Sequence, residues 1–388
     1  MDYEFGEEGD ALRAQLRALI AERIPAGYLG AFSEDPEDLA IAQRFCKELA
    51  AKGLLTLSWP KSFGGSDGSL WDQTVVREEM WAHHEPRGAQ YMGLNWVGPA
   101  IMEFGTPVQK EAHLPPIAAV ERIWCQGFSE PDAGSDLFAL STRARQSKDG
   151  WRISGQKIWT SYAEMADYCF LAARAQGEDG PEGITIFLIP MAREGIEVRP
   201  IPSMLGRHHL NECFFDDVWA SPDDVLGQVG EGTRVIRRIL AFERVGIARY
   251  ARCDRLLSLL SRAAGEQDFA HWPGALRARW SRALIKVRTA RLLAYRCVAA
   301  QIRGDANTAA LASVARVAVT QCDQEVAETL LQVIGHQALR GGAQGPFAGA
   351  MEDHWRYAQA STVAAGAIEI QRETVARSVL GRASGPRP

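Results

Sequence analysis

Apolar residues in the first third of the chain recur at the spacing of helix faces. The first stripe is formed by Leu12, Leu16, Leu19 and Ile20, and the second by Leu39, Phe45, Leu49 and Leu54. Residues three and four positions apart share one face of an α-helix, so each stripe predicts an amphipathic helix. Pro25, Pro36 and the run "WPKSFGGSDGS" interrupt the stripes and predict the loops between helices.

The pattern changes in the middle of the chain to short segments rich in β-branched and aromatic residues. These segments are "WRISG", "YCFLAAR", "ITIFLIP", "IEVRPIP" and "NECFFDDV", and turn signals such as "SKDG" and "GEDGPEG" lie between them. Short runs of this composition, bounded by turns, predict strands. From "GEGTRVIRRILAFERV" onward, long stretches rich in Ala, Leu and Arg predict helices again.

The order of these patterns predicts an α+β multidomain protein. We expect an N-terminal helical domain at 1–117, a middle β domain at 118–226 and a C-terminal helical domain at 227–388.

Composition narrows the class of protein. The chain has 388 residues, of which 46% are apolar and 23% charged, and its formal charge is -5. This is an ordinary globular composition without the basic surplus that nucleic-acid binding requires. Seven scattered cysteines without a C-x-x-C pair favour a reducing compartment over a disulfide framework. No basic leader and no apolar run of ~20 residues is present, so we expect a cytoplasmic protein without membrane insertion.

Two motifs flank the start of the middle domain. The composition of "CQGFSEPDAGSD" (125–136) predicts an irregular turn. Its amides and hydroxyls could form hydrogen bonds either with water or with polar groups of a cofactor. "GQKIWTS" (155–161) places an indole before two hydroxyls, which fits a core Trp or the wall of a planar cofactor. The His83–His84 and His208–His209 pairs lack metal-ligand spacing, and no Walker A, G-x-S-x-G or G-x-G-x-x-G motif is present. No metal site is therefore expected.

Taken together, the ordered motifs resemble the acyl-CoA dehydrogenase family over nearly the whole chain. The motifs are "FGTPVQK", "GFSEPDAGSD", "GQKIWTS" with "ADYCFLAAR", "LNECFFDDV", "FERVGIA" and "EIQRETVARSVLG". The resemblance implies a β-sandwich or barrel-like middle domain and a C-terminal four-helix bundle. It also implies a flavoprotein oxidoreductase that uses FAD to convert an acyl-CoA thioester into its α,β-enoyl form, with electron-transfer flavoprotein or a similar acceptor.

The resemblance also implies a role for individual residues. Gln126, Phe128 and Ser129 would line the flavin ring, Trp159 would cover one face of the ring, and Ser161 would bond its edge. Ser135 would lie near the CoA portion of the substrate.

The expected catalytic base departs from the commonest family pattern. Many members carry that glutamate directly before a glycine near the C-terminus, where "TVAAGAIEIQR" places Ala365 before Gly366. The backbone N–H of Ala365 would still hold the thioester oxygen. A minority of the family places the glutamate before an arginine on the first long C-terminal helix, so the resemblance implies Glu243 as the base and Arg244 as a residue that holds the substrate or the base. From the residues alone, the simpler interpretation is that Glu243 forms an ion pair on a helix face.

Two further departures concern assembly. The resemblance implies an Arg…Phe-Gly motif that contacts the FAD pyrophosphate of a neighbouring subunit, but this motif is missing from "GEQDFAHWPGALRARWSRA". It also implies a Gly-Gly pair that meets the adenine side of a neighbour's FAD, and this pair is altered in "QVIGHQALRGG". Members of this kind, known from bacterial steroid side-chain breakdown, form α2β2 heterotetramers, so a second acyl-CoA dehydrogenase-like subunit is expected. The alternatives are a non-catalytic subunit of such a complex, or a same-fold flavoenzyme that acts on a carrier-protein thioester or as a monooxygenase.

Overall fold

The fold is that of a computed structural model, which describes residues 5–30, 35–175, 183–245, 248–364 and 366–380, without the side chains at 206–209, 241–245 and 266–268. The helices in these ranges are α1 (Gly6–Arg23), α2 (Pro36–Ala51), α3 (Leu70–Ala82), α4 (Gln90–Met92), α5 (Gly98–Phe104), α6 (Pro107–Ala118), α7 (Gly232–Val245), α8 (Tyr250–His271), α9 (Gly274–Arg303), α10 (Thr308–Ile334), α11 (Ala350–Ala360) and α12 (Ile368–Leu380). The strands are β1 (Trp124–Gly127), β2 (Arg143–Ser147), β3 (Gly150–Ser161), β4 (Tyr168–Ala175), β5 (Gly183–Pro190), β6 (Ile196–Ser203), β7 (Gly206–Ala220) and β8 (Val225–Leu226).

The chain divides into two compact units. The first comprises Met1–Gly30, Ser69–Pro86 and Glu243–Pro388, and the second comprises Ala31–Gly68 and Arg87–Phe242. The first unit is therefore built of helices that are distant in sequence, and the second contains the whole sheet. The domain boundaries expected at 117/118 and 226/227 stay predictions.

In the first unit, a buried carboxylate on α3 connects three other helices. Glu78 accepts hydrogen bonds from the hydroxyls of Tyr250 on α8 at 2.9 Å and Tyr295 on α9 at 2.6 Å. Arg13 on α1 donates to Glu78 at 2.6 Å and to Glu79 at 2.7 Å. Because a buried charge without a partner is costly, these contacts fix how α1, α8 and α9 pack against α3.

The eight strands described in the second unit form one sheet in the order β6-β7-β3-β2-β4-β5-β8, and β1 pairs in parallel with β4. One face of the sheet carries a buried apolar cluster, the sheet core, which includes Cys125, Cys169, Leu171, Phe187, Ile189, Cys213 and Phe215. Neighbouring residues of a strand point to opposite faces, so Trp124 and Gln126 lie on the face opposite to Cys125. Trp124 stacks on Tyr168 on that second face, with ring centroids 4.8 Å apart.

The motif "FGTPVQK" begins helix α6 and attaches it to the sheet. The Thr106 hydroxyl accepts from the Gln109 N–H at 3.2 Å, and the Gln109 amide oxygen accepts from the Thr106 N–H at 3.0 Å, which forms a capping box. The Gln109 amide nitrogen also donates to the carbonyls of Asp223 and Val225, each at 2.8 Å. One side chain thus caps a helix and binds the β8 segment.

All seven cysteines are free and buried. No helix among the described residues is long and apolar enough to span a lipid bilayer.

The predicted order of helical, β and helical segments is confirmed. The segments predicted as strands lie in β3, β4, β5, β6 and β7. The motif "CQGFSEPDAGSD" differs from a simple turn, because its first three residues, 125–127, belong to β1 and pair with β4. That pairing joins residues more than forty positions apart, so local composition does not reveal it.

Candidate active site

The first part of the site is the end of β1 and the turn that follows it. Gln126 is half-buried on the face opposite to the sheet core, and its strand partner is Phe170 of β4. Phe128 is buried against the ring of Phe170, with centroids 5.9 Å apart. The half-buried Ser129 accepts a backbone hydrogen bond of 2.9 Å from the N–H of Ile158. The turn is therefore attached directly to strand β3.

The second part is a bulge in β3. Lys157 pairs with Cys213 of β7 and Thr160 pairs with Asn211, so three steps along β3 match two steps along β7. Trp159 lies inside this bulge with a φ of 60°, in the left-handed region that bulky residues rarely adopt. β-Bulges redirect side chains and are frequent beside active sites. Here the bulge leaves 56% of Trp159 exposed, an unusual environment for an indole in the body of a sheet.

The residues after the bulge add polar groups to the same strand end. Ser161 is half-buried at the last position of β3, and its strand partner is Leu210. The Asn211 side-chain amide donates to the Thr160 carbonyl at 3.1 Å, which fixes the backbone beside Ser161. Tyr162 turns the chain away with a φ of 62°.

The structure thus brings five predicted flavin-contacting residues to one region of the second unit. They are Gln126, Phe128, Ser129, Trp159 and Ser161. The Ile158 to Ser129 hydrogen bond joins the two segments that carry them. Ser135, which the resemblance places near the CoA portion of the substrate, lies exposed in the loop that follows β1.

The predicted catalytic residues are only partly described. Glu243 and Arg244 lie in the last turn of α7, but their side chains are outside the described residues. Ala365 is also outside them. The flanking backbone is described: Gly366 has a φ of 91°, and the Arg316 guanidinium donates to the Ala364 carbonyl and, at 3.2 Å, to the Ser361 carbonyl.

Two charged residues in the quoted motifs received no role from the sequence. Lys157 of "GQKIWTS" is completely buried, and its ammonium donates to a Glu130 carboxylate oxygen at 2.7 Å and to the Phe128 carbonyl at 3.1 Å. Burial alone would raise the pKa of Glu130, but the Lys157 charge and several hydrogen bonds lower that pKa to about 2. The sequence did offer a signal for this pair, because one motif carries a Lys and the other a Glu, each beside predicted cofactor residues.

Among the residues that the structure describes, one group of metal-ligand residue types occurs, in the helical unit. The Cys253 thiol lies 3.5 Å from an Asp323 carboxylate oxygen and 3.8 Å from the His354 imidazole Nε2. Arg249 already binds the Asp323 carboxylate at 2.9 Å. Burial raises the pKa of the Cys253 thiol well above its usual value and lowers that of His354. Because the Arg249 guanidinium already binds the Asp323 carboxylate, these contacts are explained as a hydrogen-bonded and ion-paired part of the core.

Comparison with known proteins decides the family. Three family models match in order: acyl-CoA dehydrogenase N-terminal domain at 6–121, middle domain at 125–218 and C-terminal domain at 230–380. The acyl-CoA dehydrogenase IpdE1 of Mycobacterium tuberculosis is 32% identical over 97% of this chain and 98% of the relative. This chain belongs to the acyl-CoA dehydrogenase family.

Solved structures agree with this assignment. The Tcur3481-Tcur3483 steroid ACAD superposes with a TM-score of 0.90 at 29% identity, over 99% of this chain and 100% of that one. The ChsE4-ChsE5 complex from Mycobacterium tuberculosis gives a TM-score of 0.87 at 26% identity, with complete coverage of both chains. As a member of this acyl-CoA dehydrogenase family, the protein is a flavin-dependent oxidoreductase, and its cofactor is FAD. The expected family, fold class, enzyme class and cofactor are confirmed.

Proposed function

We propose that this acyl-CoA dehydrogenase oxidises an acyl-CoA thioester to its α,β-enoyl form, with Glu243 as the catalytic base. The observation that supports the proposal most strongly is the bulge of β3. It presents the exposed Trp159 indole together with Ser161, opposite a turn that carries Phe128 and Ser129.

The chemistry of these residues fits FAD. An exposed indole is a suitable cover for a planar, largely apolar ring system, because stacking removes both surfaces from water. The half-buried hydroxyls of Ser129 and Ser161 can donate to ring heteroatoms, and the Gln126 amide can both donate and accept. Held by these residues, bound FAD would supply the acceptor, its N5 atom, for the hydride that leaves the β-carbon of the acyl group.

The remaining chemistry belongs to the chain. The Glu243 carboxylate removes the α-proton, which requires a desolvated site where its pKa is raised toward the working pH. Trp159 excludes water from the flavin face, so the developing charge is not quenched by solvent. The backbone N–H of Ala365 donates to the thioester oxygen, which acidifies the α-proton.

Described residues support the role of Ala365 indirectly. Gly366 has a left-handed φ of 91°, and a Cβ at this position would lie 2.8 Å from the Gln371 amide nitrogen. The buried Arg316 binds the carbonyls of Ser361 and Ala364 on the other side. Such fixed flanks are what a backbone donor needs to be preorganised.

For the substrate and the assembly, we propose a steroid-type acyl-CoA thioester and a second acyl-CoA dehydrogenase-like subunit. Two similar structures carry paired names, Tcur3481-Tcur3483 and ChsE4-ChsE5, and the first is described as a steroid ACAD. The motif changes in "GEQDFAHWPGALRARWSRA" and "QVIGHQALRGG" favour the same arrangement. Electron-transfer flavoprotein is the proposed acceptor.

The test is anaerobic reduction of the bound flavin by candidate substrates. The yellow complex of this chain with its second acyl-CoA dehydrogenase-like subunit is mixed with steroid side-chain, branched and straight-chain acyl-CoA esters. The visible flavin absorbance is followed, and the products are analysed by mass spectrometry. Bleaching with loss of two hydrogens from the acyl group supports the proposal, and faster bleaching by steroid esters supports the substrate class.

Two other outcomes distinguish the alternatives. If only an acyl group carried by a carrier protein bleaches the flavin, the substrate is a carrier-protein thioester and not a CoA ester. Oxygen insertion into the product with no anaerobic bleaching would replace dehydrogenation with monooxygenation.

A further inference from the structure

Lys157 and Glu130 form an ion pair inside the second unit, beside the proposed flavin site. Lys157 is 0% exposed and Glu130 is 5% exposed. Removing two such charges from water costs several kcal/mol each, and their attraction repays this cost only when the geometry is good and other hydrogen bonds are satisfied. A buried ion pair is therefore poor evidence for a purely stabilising role.

The hydrogen bonds of this pair are unusually complete. One Glu130 carboxylate oxygen accepts from the Lys157 ammonium at 2.7 Å and from the Thr142 N–H at 2.9 Å. The other accepts from the Ser141 N–H at 2.6 Å and the Ser141 hydroxyl at 2.7 Å. The Glu130 carboxylate thus joins the start of the loop that follows β1 to its end at Ser141 and Thr142.

The same pair attaches this loop to the strand that carries Trp159. Lys157 donates to the Phe128 carbonyl at 3.1 Å, and the next residue, Ile158, donates its N–H to the Ser129 carbonyl at 2.9 Å. Two consecutive residues of β3, at the start of the bulge, therefore bind two consecutive carbonyls of the turn.

The bulge itself needs such support. A bulky residue with a positive φ stores of order 1–3 kcal/mol of strain and persists only where its surroundings over-determine it. Trp159 has such a φ and retains it although its side chain is more than half exposed, so packing of the indole does not hold it in place. The fixed points are the buried residues on either side, Lys157 and Thr160.

We propose that the Glu130–Lys157 pair positions the flavin-contacting residues, and that Lys157 acts on FAD binding through Trp159. This inference rests on the proposed flavin site. The pair sets the separation between the turn at Phe128 and Ser129 and the bulge at Trp159, so the slot for the ring exists before FAD binds.

The main test is a charge-neutral double variant, Lys157→Met/Glu130→Gln. It removes both charges at similar volume and leaves no unpaired ion, so the protein should fold, as judged by circular dichroism and thermal unfolding. To measure FAD affinity, the complex with the second subunit is first stripped of its flavin. It is then titrated with FAD while flavin fluorescence is followed. We expect Kd for FAD to rise at least about tenfold, with a changed visible spectrum of the bound flavin.

The matched control is Arg193→Met/Asp224→Asn. This ion pair of the same unit, bonded at 2.8 Å and 3.1 Å, joins the turn after β5 to the turn before β8. Its loss should lower stability without altering FAD affinity or the flavin spectrum. Equal effects of the two double variants on FAD affinity would show a general loss of stability and would overturn the positioning role.

Changes to a buried ion pair can lower folding stability, so a second variant, Glu130→Asp, retains both charges. It withdraws the carboxylate by one methylene, and we expect an intermediate loss of FAD affinity in a folded protein. Wild-type affinity in both Glu130→Asp and the charge-neutral variant would overturn the proposal.

A double-mutant cycle separates this inference from the flavin site on which it rests. If Lys157 acts through Trp159, Trp159→Ala should weaken FAD binding, and the charge-neutral change should add little in that background. Additive losses would show that Lys157 acts independently of Trp159. An unchanged FAD affinity in Trp159→Ala would instead refute the flavin-wall assignment itself.

Discussion

At the scale of single residues, the proposal of Glu243 as the base depends on Ala365. This alanine stands where many family members carry the catalytic glutamate, and its methyl group cannot accept a proton. Glu243→Gln should therefore leave FAD binding intact and lower turnover by about 10² to 10⁴-fold, the usual range for loss of a general base. Flavin content and the rate of anaerobic bleaching by acyl-CoA measure the two quantities separately. A Glu243→Gln enzyme with a near wild-type rate would exclude this residue as the base.

A second residue-scale prediction concerns pH. Burial, reinforced by the Arg252 charge, lowers the pKa of His84 to about 4, although Asp353 lies 3.5 Å away. Between pH 6.5 and 4 the unfolded chain binds a proton at this residue and the folded chain does not, so stability should fall as pH drops through this window. The contribution is at most roughly 3 kcal/mol.

His84→Asn tests this prediction, because asparagine tolerates the φ of 61° at this position and does not titrate. Urea unfolding at pH 7 and pH 5 should show a smaller pH effect in the variant. The effect should not vanish, since burial and Arg122 also lower the pKa of His113 to about 4. An identical pH effect in both proteins would contradict the prediction.

At the scale of elements, sequence patterns predicted the long helices and most strands, because their apolar periodicity is local. They did not predict β1, whose pairing with Tyr168–Leu171 of β4 is non-local. They also gave no sign of the bulge, since "GQKIWTS" has no glycine at the residue with positive φ. The likeness to a family assigns Trp159 and Ser161 to the flavin site, an assignment that stays a prediction, whereas the pairing of Lys157 with Glu130 required the structure.

The segment around Gly366 gives a prediction at this scale. Gly366→Ala combines a left-handed φ with a contact of 2.8 Å to the Gln371 amide, so it should cost about 1–3 kcal/mol of stability and also reduce turnover by shifting Ala365. Gly304→Ala is the control, because its φ is 70° and no atom lies within 4 Å of the added Cβ. It should lower thermal stability but preserve turnover per folded molecule. Equal turnover in the two variants would contradict a role for the 365–366 backbone.

At the scale of the whole molecule, the missing Arg…Phe-Gly motif concerns the pyrophosphate of FAD, which needs cations or donors. The chain expressed alone should therefore purify largely colourless or inactive. Co-expression with a second family member should give a yellow α2β2 complex with fewer FAD than subunits, measured by light scattering and absorbance. Stoichiometric FAD in an active homotetramer of this chain would overturn the prediction and point to other phosphate contacts, such as Arg277 or Arg279.

The burial of all seven cysteines has a practical consequence for studying that assembly. Burial shields all seven side chains from reagents in the solvent. It also raises the pKa of the Cys213 thiol to about 12 and that of Cys297 to about 11, so these two thiols carry almost no reactive thiolate at neutral pH. A cysteine introduced at an exposed position, such as Lys148 in the β2–β3 turn, would be the preferred target of a maleimide dye without removal of the native ones. Fluorescence energy transfer from that dye to the flavin or to a labelled subunit then follows cofactor loading and complex formation in the otherwise unaltered protein.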